Sequence, residues 1–169
     1  MGRYRPPQKP GSKYITPEGK QKLDEELDFL WRKKRPEVTA ALSAAAAEGD
    51  RSENAEYIYR KKQLGEIDRR VRFLRKRLEN IAVVEGEPDD PRTIFFGAWV
   101  RLENETGDER SYRVVGPDEF DMDERYISMD SPMARAMMKR RIDDSFTVKL
   151  PSGEAEFYIV DVSYKPFQQ

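Results

Sequence analysis

The sequence of 169 residues contains neither cysteine nor histidine. The lack of cysteine excludes disulfide bonds, thiolate metal sites and thiol nucleophiles, and the lack of histidine removes the commonest general base and metal ligand. Any chemistry must therefore use carboxylates, hydroxyls, lysines or arginines. The longest run of small and apolar side chains, Ala40 to Ala47, is internal and falls far short of the roughly 18 residues that span a bilayer. The sequence thus predicts no membrane segment and no signal peptide, and we expect a cytoplasmic protein.

Charged residues are abundant but unevenly distributed. They make up 37% of the chain, whose formal net charge is only -1. Between Arg60 and Arg77 there are nine basic and two acidic residues, a net charge of +7, whereas between Glu85 and Asp130 there are fourteen acidic residues and five arginines, a net charge of -9. This asymmetry indicates two different partners, one of them a polyanion. The alternative is that both runs are solvated surfaces, which is the commoner reason for a charge run.

The N-terminal part of the sequence predicts a tail followed by a first helix. Residues 1–13 hold three prolines, two glycines and four basic residues without periodicity, so we expect a disordered basic tail. Thr16 and Pro17 are typical of a helix start, and Gly49 is typical of a helix end. Between them, Pro36 predicts a kink or a change of register. The apolar residues before it have coiled-coil spacing: Leu23, Leu27 and Leu30.

A second helix carries the strongest periodicity in the chain. Its apolar residues recur in steps of three and four: Leu64, Ile67, Val71, Leu74, Leu78 and Ile81. This is the a/d seam of a coiled coil. Because the link to the first helix is short, the two helices must run antiparallel, and Glu53 to Asn80 would form a rod of about 42 Å. We therefore predict an antiparallel coiled coil, a helical hairpin, over residues 14–86.

Short strands replace the helical pattern in the C-terminal part, beyond a linker marked by Pro88 and Pro91. A short helix should start at Ser131 and Pro132. The strands are predicted over residues 93–96, 98–102, 112–115, 126–128, 146–150 and 155–164. Strands with one helix packed on them form a small α+β domain, which we assign to residues 87–169.

Two carboxylates, Asp50 and Glu53, stand in the short acidic turn between the helices. At this spacing Asp50 could cap the second helix while Glu53 reaches back to it, as in a capping box. The same pair could instead share a hard cation such as Mg²⁺ with other ligands. Two acids are too few to hold Mg²⁺ tightly, so a partner would have to complete that site. The spacing is compatible with both interpretations.

Five separated stretches of the sequence form a specific pattern. They are GDRSENAEY at 49–57, FLWR with RPEVT at 29–32 and 35–39, EIDRRV at 66–71, FFGAWV at 95–100 and ISMDSPMARA at 127–136. In this order they resemble the bacterial Gre family of transcript cleavage factors, and the resemblance covers about residues 14–164. The dense basic face of the second helix is more similar to the GreB branch of that family than to the GreA branch.

The resemblance implies a fold and a mechanism. The coiled coil would enter the secondary channel of bacterial RNA polymerase, while an FKBP-like C-terminal domain would dock on the channel rim through a loop that matches Asp130, Ser131 and Pro132. Asp50 and Glu53 would be the catalytic acids. They would help to hold the second Mg²⁺ of the polymerase active site and orient a water for hydrolysis of the extruded RNA. The protein would then be an accessory factor that supplies acids in trans, and not an enzyme itself.

The basic face of the second helix would attract the 3′ segment of the nascent RNA through phosphate charge. The residues expected to bind RNA are Arg60, Lys61, Lys62, Arg69 and Arg70. We expect a monomer. Two other functions stay open: a Gre-like inhibitor that binds the channel, which the intact Asp50 and Glu53 pair disfavours, and a non-catalytic coiled-coil module that binds nucleic acid or protein. A zinc-finger regulator is excluded, since no cysteine or histidine could bind zinc.

Overall fold

The computed structural model describes residues 11–49 and 53–168, which divide into two compact units. One unit is Glu18–Ile81, and the other joins the residues before it to those from Ala82 onward. The helical unit is therefore inserted, along the chain, into the second unit. The sequence placed the coiled coil at residues 14–86, so the boundaries differ at both ends. Residues 1–10 of the predicted tail, and Asp50 with the two residues after it, lie outside the described residues.

The boundaries differ because two very short strands pair with each other. Strand β1 (Tyr14–Ile15) lies parallel to β2 (Ala82–Val83). The N–H of Ala82 donates to the carbonyl of Lys13 at 2.7 Å, and the N–H of Val84 donates to the carbonyl of Ile15 at 3.0 Å. Strands of two residues leave no periodic signal, so the sequence pattern could not indicate them.

The segment before these strands corrects a second prediction. Residues 11–13 were expected to belong to a disordered tail, but the N–H of Ser12 donates to Asp130 at 2.9 Å. We refer to residues 11–16 as the N-terminal strap. Composition favoured disorder here, whereas single side-chain and backbone hydrogen bonds fix the segment.

The first helix of the hairpin is continuous but changes its winding. Helix α1 (Pro17–Phe29) passes into a π-helical segment, Leu30–Lys34, and then into α2 (Arg35–Ala46). The N–H of Arg35 bonds back to the carbonyl of Leu30, five residues earlier. Leu30 and Val38 are eight residues apart, one more than a heptad, and the wider π turn absorbs the extra residue. The change of register predicted from Pro36 is confirmed. Proline has no N–H to donate, and its ring would clash with the carbonyl four residues earlier in a regular α-helix.

The second helix, α3 (Ala55–Asn80), contains 26 residues, a length of about 39 Å. Its predicted seam is confirmed, since Ile67, Val71 and Leu74 are buried. Val38 of α2 packs against the first two of these, and partly buried leucines extend the cluster on both helices: Leu27, Leu30 and Leu64. Burial of this apolar stripe stabilises the hairpin, at about 1.5–3 kcal/mol for each fully buried side chain. No helix in the described part of the chain is both long and apolar enough to span a membrane.

The second unit is built on a five-stranded sheet in the order β5-β4-β3-β7-β6. Its elements are β3 (Trp99–Asn104), β4 (Glu109–Val115), β5 (Tyr126–Ser128), helix α4 (Pro132–Met137), β6 (Ser145–Leu150) and β7 (Gly153–Ser163). Only β4 and β5 run parallel. Ala134 and Met137 of α4 are buried in the same core as the inner face of the sheet. One helix on a mainly antiparallel sheet, following a helical hairpin, is the α+β, FKBP-like arrangement that we predicted.

The strand predicted at residues 93–96 is wrong. Thr93 forms only an isolated bridge with Arg141. The N–H of Ile94 donates to the carbonyl of Arg140 at 2.8 Å, and the N–H of Phe95 donates to the Tyr164 hydroxyl at 3.0 Å. These groups are satisfied by a loop and a side chain, so no ladder forms. The apolar residues that suggested a strand reflect core packing, since Ile94 is fully buried.

A buried carboxylate fixes the N-terminal strap to this unit. Glu119 is 0% exposed and accepts hydrogen bonds from the N–H of Thr16 and the N–H of Gly116, each at 2.9 Å, and from the Thr16 hydroxyl. Gly116 is needed for the approach, because a Cβ there would lie 2.0 Å from the carbonyl oxygen of Tyr14. The strap is therefore seated by a polar contact that tolerates little change.

Replacing Glu119 by glutamine should lower the free energy of unfolding by about 1–2 kcal/mol, because the hydrogen bonds from Thr16 and Gly116 lose their charged acceptor and the amide N–H₂ must face the Thr16 hydroxyl. Chemical denaturation followed by circular dichroism measures the change. Glu154→Gln is the matched control, since Glu154 is exposed at the start of β7. Equal stability of the two variants would contradict the role assigned to Glu119.

Candidate functional site

Asn54, directly before α3, bonds to both helices of the hairpin. Its Oδ1 accepts a hydrogen bond from the N–H of Tyr57 at 3.0 Å, which makes Asn54 the N-cap of α3. Its Nδ2 donates to the carbonyl of Ala45 at 2.7 Å. Ala45 is buried in the last turn of α2. The amide of Asn54 thus caps the beginning of one helix and satisfies a carbonyl at the end of the other.

The capping box predicted for Asp50 and Glu53 is wrong. Helix α3 begins at Ala55, so the cap stands four residues after Asp50 and directly after Glu53. Asn54 prevails because an amide both accepts and donates, and here it can serve both helices at once. Glu53 is exposed and makes no hydrogen bond or ion pair with another described residue. Its carboxylate is therefore available to a partner.

The metal interpretation of the acidic turn concerns Glu53 together with Asp50, which lies outside the described residues. Among residues 11–49 and 53–168, no three acidic side chains come close enough together to hold a metal ion. Gly49, at the start of the turn, has a φ of +146°, a conformation that side chains other than glycine rarely adopt. The backbone conformation at position 49 thus favours a glycine.

The five residues predicted to bind RNA fall into two groups. Lys61, Lys62 and Arg69 are exposed and form no ion pair with any residue in the described ranges. Arg60 bonds to Glu56 at 2.8 Å and to Gln63 at 3.1 Å. Arg70 forms a two-pronged ion pair with Glu26 across the hairpin, at 2.7 and 2.9 Å. The first group presents charge to solvent, whereas the second also contributes to the structure.

Exposed aromatic rings are interleaved with the basic residues, a feature that counting charges missed. Tyr59 is 57% exposed and Phe73 is 48% exposed. The Arg60 guanidinium lies 5.4 Å from the Tyr59 ring centre, and the Arg70 guanidinium lies 5.3 Å from that of Phe73. Aromatic rings beside cations are the usual platform for single-stranded nucleic acid. The aromatic residues next to Arg60 and Arg72 in the sequence were the available signal.

A second aromatic contact joins the two helices of the hairpin. Trp31, in the π-helical segment, lies 4.3 Å from the Arg75 guanidinium and 5.2 Å from that of Arg35. Arg35 also pairs with Asp68 of α3 at 2.8 Å. The separation along the chain falls from 44 residues for Trp31 and Arg75 to 33 for Arg35 and Asp68 and to 9 for Ala45 and Asn54. This decrease confirms that the helices run antiparallel.

The three residues predicted to bind polymerase lie together in a loop that leads into α4. Ser131 caps this helix by accepting a hydrogen bond from the N–H of Ala134 at 3.2 Å, and Pro132 is its first residue. The N–H of Asp130 donates to the Ser128 hydroxyl at 3.1 Å, and the N–H of Ser131 donates to the Ser128 carbonyl at 2.9 Å. We call residues 128–132 the docking loop. The helix start predicted at Ser131 and Pro132 is confirmed.

Two family models match the chain, one for each part. The first, described as "Transcription elongation factor, N-terminal", matches residues 13–83. The second, described as "Transcription elongation factor, GreA/GreB, C-term", matches residues 88–164. The chain belongs to the GreA/GreB family. The family that the five sequence stretches resembled is thereby confirmed.

Individual relatives agree with this membership of the GreA/GreB family. The chain is 58% identical over 158 residues to the transcription elongation factor GreB of Yersinia pestis, covering 94% of this chain and 92% of the relative. It is 55% identical over 166 residues to GreB of Pseudomonas aeruginosa, covering 98% and 99%. Among solved structures, GreA factor homolog 1 of Thermus thermophilus is 26% identical with a TM-score of 0.41, covering 89% and 98%. The similarity to GreB predicted from the basic face is confirmed.

Replacing Asn54 by alanine should lower the free energy of unfolding by about 1–2 kcal/mol, because the cap of α3 and the bond to Ala45 are lost together. Thermal unfolding of the whole chain, followed at 222 nm, measures the change. Asn80→Ala is the control: its Nδ2 donates to Lys76 at an exposed site, so that change should cost at most about 0.5 kcal/mol. A loss at Asn54 no larger than at Asn80 would contradict the bridging role.

Proposed function

We propose that this GreA/GreB family chain enters the secondary channel of bacterial RNA polymerase and stimulates cleavage of the RNA extruded from backtracked complexes. Cleavage creates a new 3′ end, from which elongation restarts. The observation that carries the proposal is the exposed Glu53 carboxylate at the end of a helical hairpin. It stands within the stretch GDRSENAEY, directly before the residue that locks the turn.

The turn supplies acids and the polymerase supplies the rest of the site. Asp50 and Glu53 would hold a Mg²⁺ jointly with ligands from the polymerase, since two carboxylates alone bind this ion weakly. When bound, the ion stabilises charge on the phosphate and activates a water. The bridge made by Asn54 fixes the residue next to Glu53, and a fixed backbone places a carboxylate with less loss of entropy. The chain therefore acts as an accessory factor.

The basic face of α3 guides the 3′ segment of the nascent RNA. Lys61, Lys62 and Arg69 attract phosphates, while the exposed rings of Tyr59 and Phe73 can stack on unpaired bases. Neither the attraction between basic side chains and phosphates nor the stacking of bases on aromatic rings depends on the base sequence. This suits a factor that must act wherever the polymerase has backtracked.

The docking loop holds the protein on the polymerase. Asp130, Ser131 and Pro132 are needed for this docking, and they lie in a different unit from the acids, so affinity and chemistry are separate properties of the chain. We propose that it acts as a monomer in the bacterial cytoplasm.

Asp50→Asn and Glu53→Gln should each reduce the rate of stimulated cleavage about 100-fold or more, because a metal ligand worth several kcal/mol of charge stabilisation is lost. Affinity for RNA polymerase should stay nearly unchanged. The assay follows shortening of labelled RNA in a stalled, backtracked complex at saturating factor. Glu48→Gln, an exposed acid just before Gly49, is the matched control and should cleave normally. Cleavage that survives both changes would refute the metal role, and binding of the unaltered chain without any cleavage would favour a channel-binding inhibitor.

Replacing Lys61, Lys62 and Arg69 by glutamine should slow cleavage of deeply backtracked complexes more than of shallow ones, because a longer extruded RNA meets more of the basic face. The deficit should shrink as salt rises, since phosphate attraction is screened. Cleavage rates on complexes backtracked by 2 and by about 10 nucleotides, at several salt concentrations, measure both effects. The control neutralises three exposed lysines elsewhere: Lys22, Lys149 and Lys165. Equal losses on both complexes at every salt concentration would refute RNA guidance by this face.

A further inference from the structure

The carboxylate of Asp130 bonds to Ser12, a residue of the N-terminal strap. The N–H of Ser12 donates to Asp130 Oδ2 at 2.9 Å, and the Ser12 hydroxyl donates to Oδ1. Both oxygens of the carboxylate are thus engaged by one residue that lies 118 positions earlier in the chain. Hydrogen bonds to a charged group are among the stronger ones in proteins, so this contact joins the strap firmly to the docking loop.

Ser12 can fix Asp130 only if Ser12 is itself held in place, and the contacts of its neighbours in the strap hold it. On the C-terminal side of Ser12, Lys13 and Ile15 bond to the backbone of β2 and the residue after it, Ile15 is fully buried, and Thr16 bonds to Glu119. On the N-terminal side, Gly11 fits closely against the loop: a Cβ there would lie 3.2 Å from Pro117 and 3.3 Å from Asp130 Oδ2. Ser12 is therefore held from both sides.

The docking loop is anchored at both ends, and in its middle the N–H of Asp130 donates to the Ser128 hydroxyl. At its start, the N–H of Met129 donates to the carbonyl of Val115 at 2.8 Å, and at its end Ser131 caps α4. Asp130 lies between these anchors, and its side chain points to the strap. The Ser12 contact is what fixes the central side chain of the loop.

We propose that Ser12 is a positioning residue for polymerase docking, and that Asp130 acts in docking chiefly by bonding to Ser12. In this arrangement Asp130 sets the shape of the loop, and the exposed Pro132 with the neighbouring backbone makes the contact with the polymerase. The docking surface is then composite, formed by the strap and the loop together. This inference rests on the proposed docking role of residues 130–132.

The test is a double-mutant cycle on affinity for purified bacterial RNA polymerase, measured with the full chain. Ser12→Ala should raise the dissociation constant about tenfold, the effect of one lost hydrogen bond to a carboxylate. Asp130→Ala should raise it by a similar factor, and the double variant should be no weaker than the weaker single variant, since both changes remove one interaction. Ser12→Thr keeps the hydroxyl and should restore affinity.

Two controls separate positioning from general damage to the fold. Ser152→Ala, in the exposed turn between β6 and β7, should leave affinity unchanged. Cleavage by Ser12→Ala should be reduced at limiting factor concentration and should recover at saturating factor, because the acids lie in the other unit. If Ser12→Ala lowers stability, the comparison with Ser12→Thr at a temperature where both are folded still decides the outcome.

Each alternative result has a separate meaning. Normal affinity of Ser12→Ala combined with weak binding of Asp130→Ala would overturn the inference and leave the docking role of Asp130 intact, with its carboxylate contacting the polymerase directly. Additive losses in the double variant would overturn it in the same way. Normal affinity of Asp130→Ala together with Pro132→Ala would refute the docking loop itself, and with it that part of the proposed function.

Discussion

The carboxylate of Glu119 is buried with three donors around it, two from Thr16 and one from Gly116. Leaving such donors or the carboxylate without partners inside a protein costs about 1–3 kcal/mol for each group, so the strap lies against the sheet whenever the unit is folded. The seat of the strap in turn determines where β1 meets β2, where α1 begins, and where Ser12 meets Asp130. The contact of one buried carboxylate thus supports both the pairing of β1 with β2 and the bond between Ser12 and the docking loop.

The hairpin depends on a different division of labour between its contacts. Apolar packing of Val38 against Ile67 and Val71 stabilises the hairpin. Apolar contacts alone specify the register of two helices less sharply than polar contacts do. The polar contacts have one geometry each: Arg35 with Asp68, Arg70 with Glu26, and Asn54 with Ala45. These contacts select a single register of the two helices.

Periodic features were predictable from the sequence, and contacts of single residues were not. The seam of α3, the strand at Tyr126–Ser128 and the helix start at Ser131 follow from repeated spacing or from turn chemistry, which are local. The cap at Asn54 was missed because its advantage comes from Ala45 on the other helix. The strap and the false strand at residues 93–96 were misjudged for the same reason, since Asp130, Arg140 and Tyr164 supply the partners. Within the site, the acids, the basic residues and the loop could be identified from the sequence. The aromatic rings beside the arginines and the bond between Ser12 and Asp130 could be recognised only in the folded structure.

The insertion of the hairpin between β1 and β2 also fixes an order of events during synthesis. Thr16 can bond to Glu119 only after a further 103 residues have been synthesised, and Ser12 can bond to Asp130 only after a further 118. The hairpin needs only contacts between neighbouring helices and can form while the rest of the chain is still being made, because local contacts form fastest. The helical hairpin can therefore be folded before the residues of the second unit have been synthesised. The strap is made before the hairpin, but it can be seated only after Glu119 and Asp130 have been synthesised.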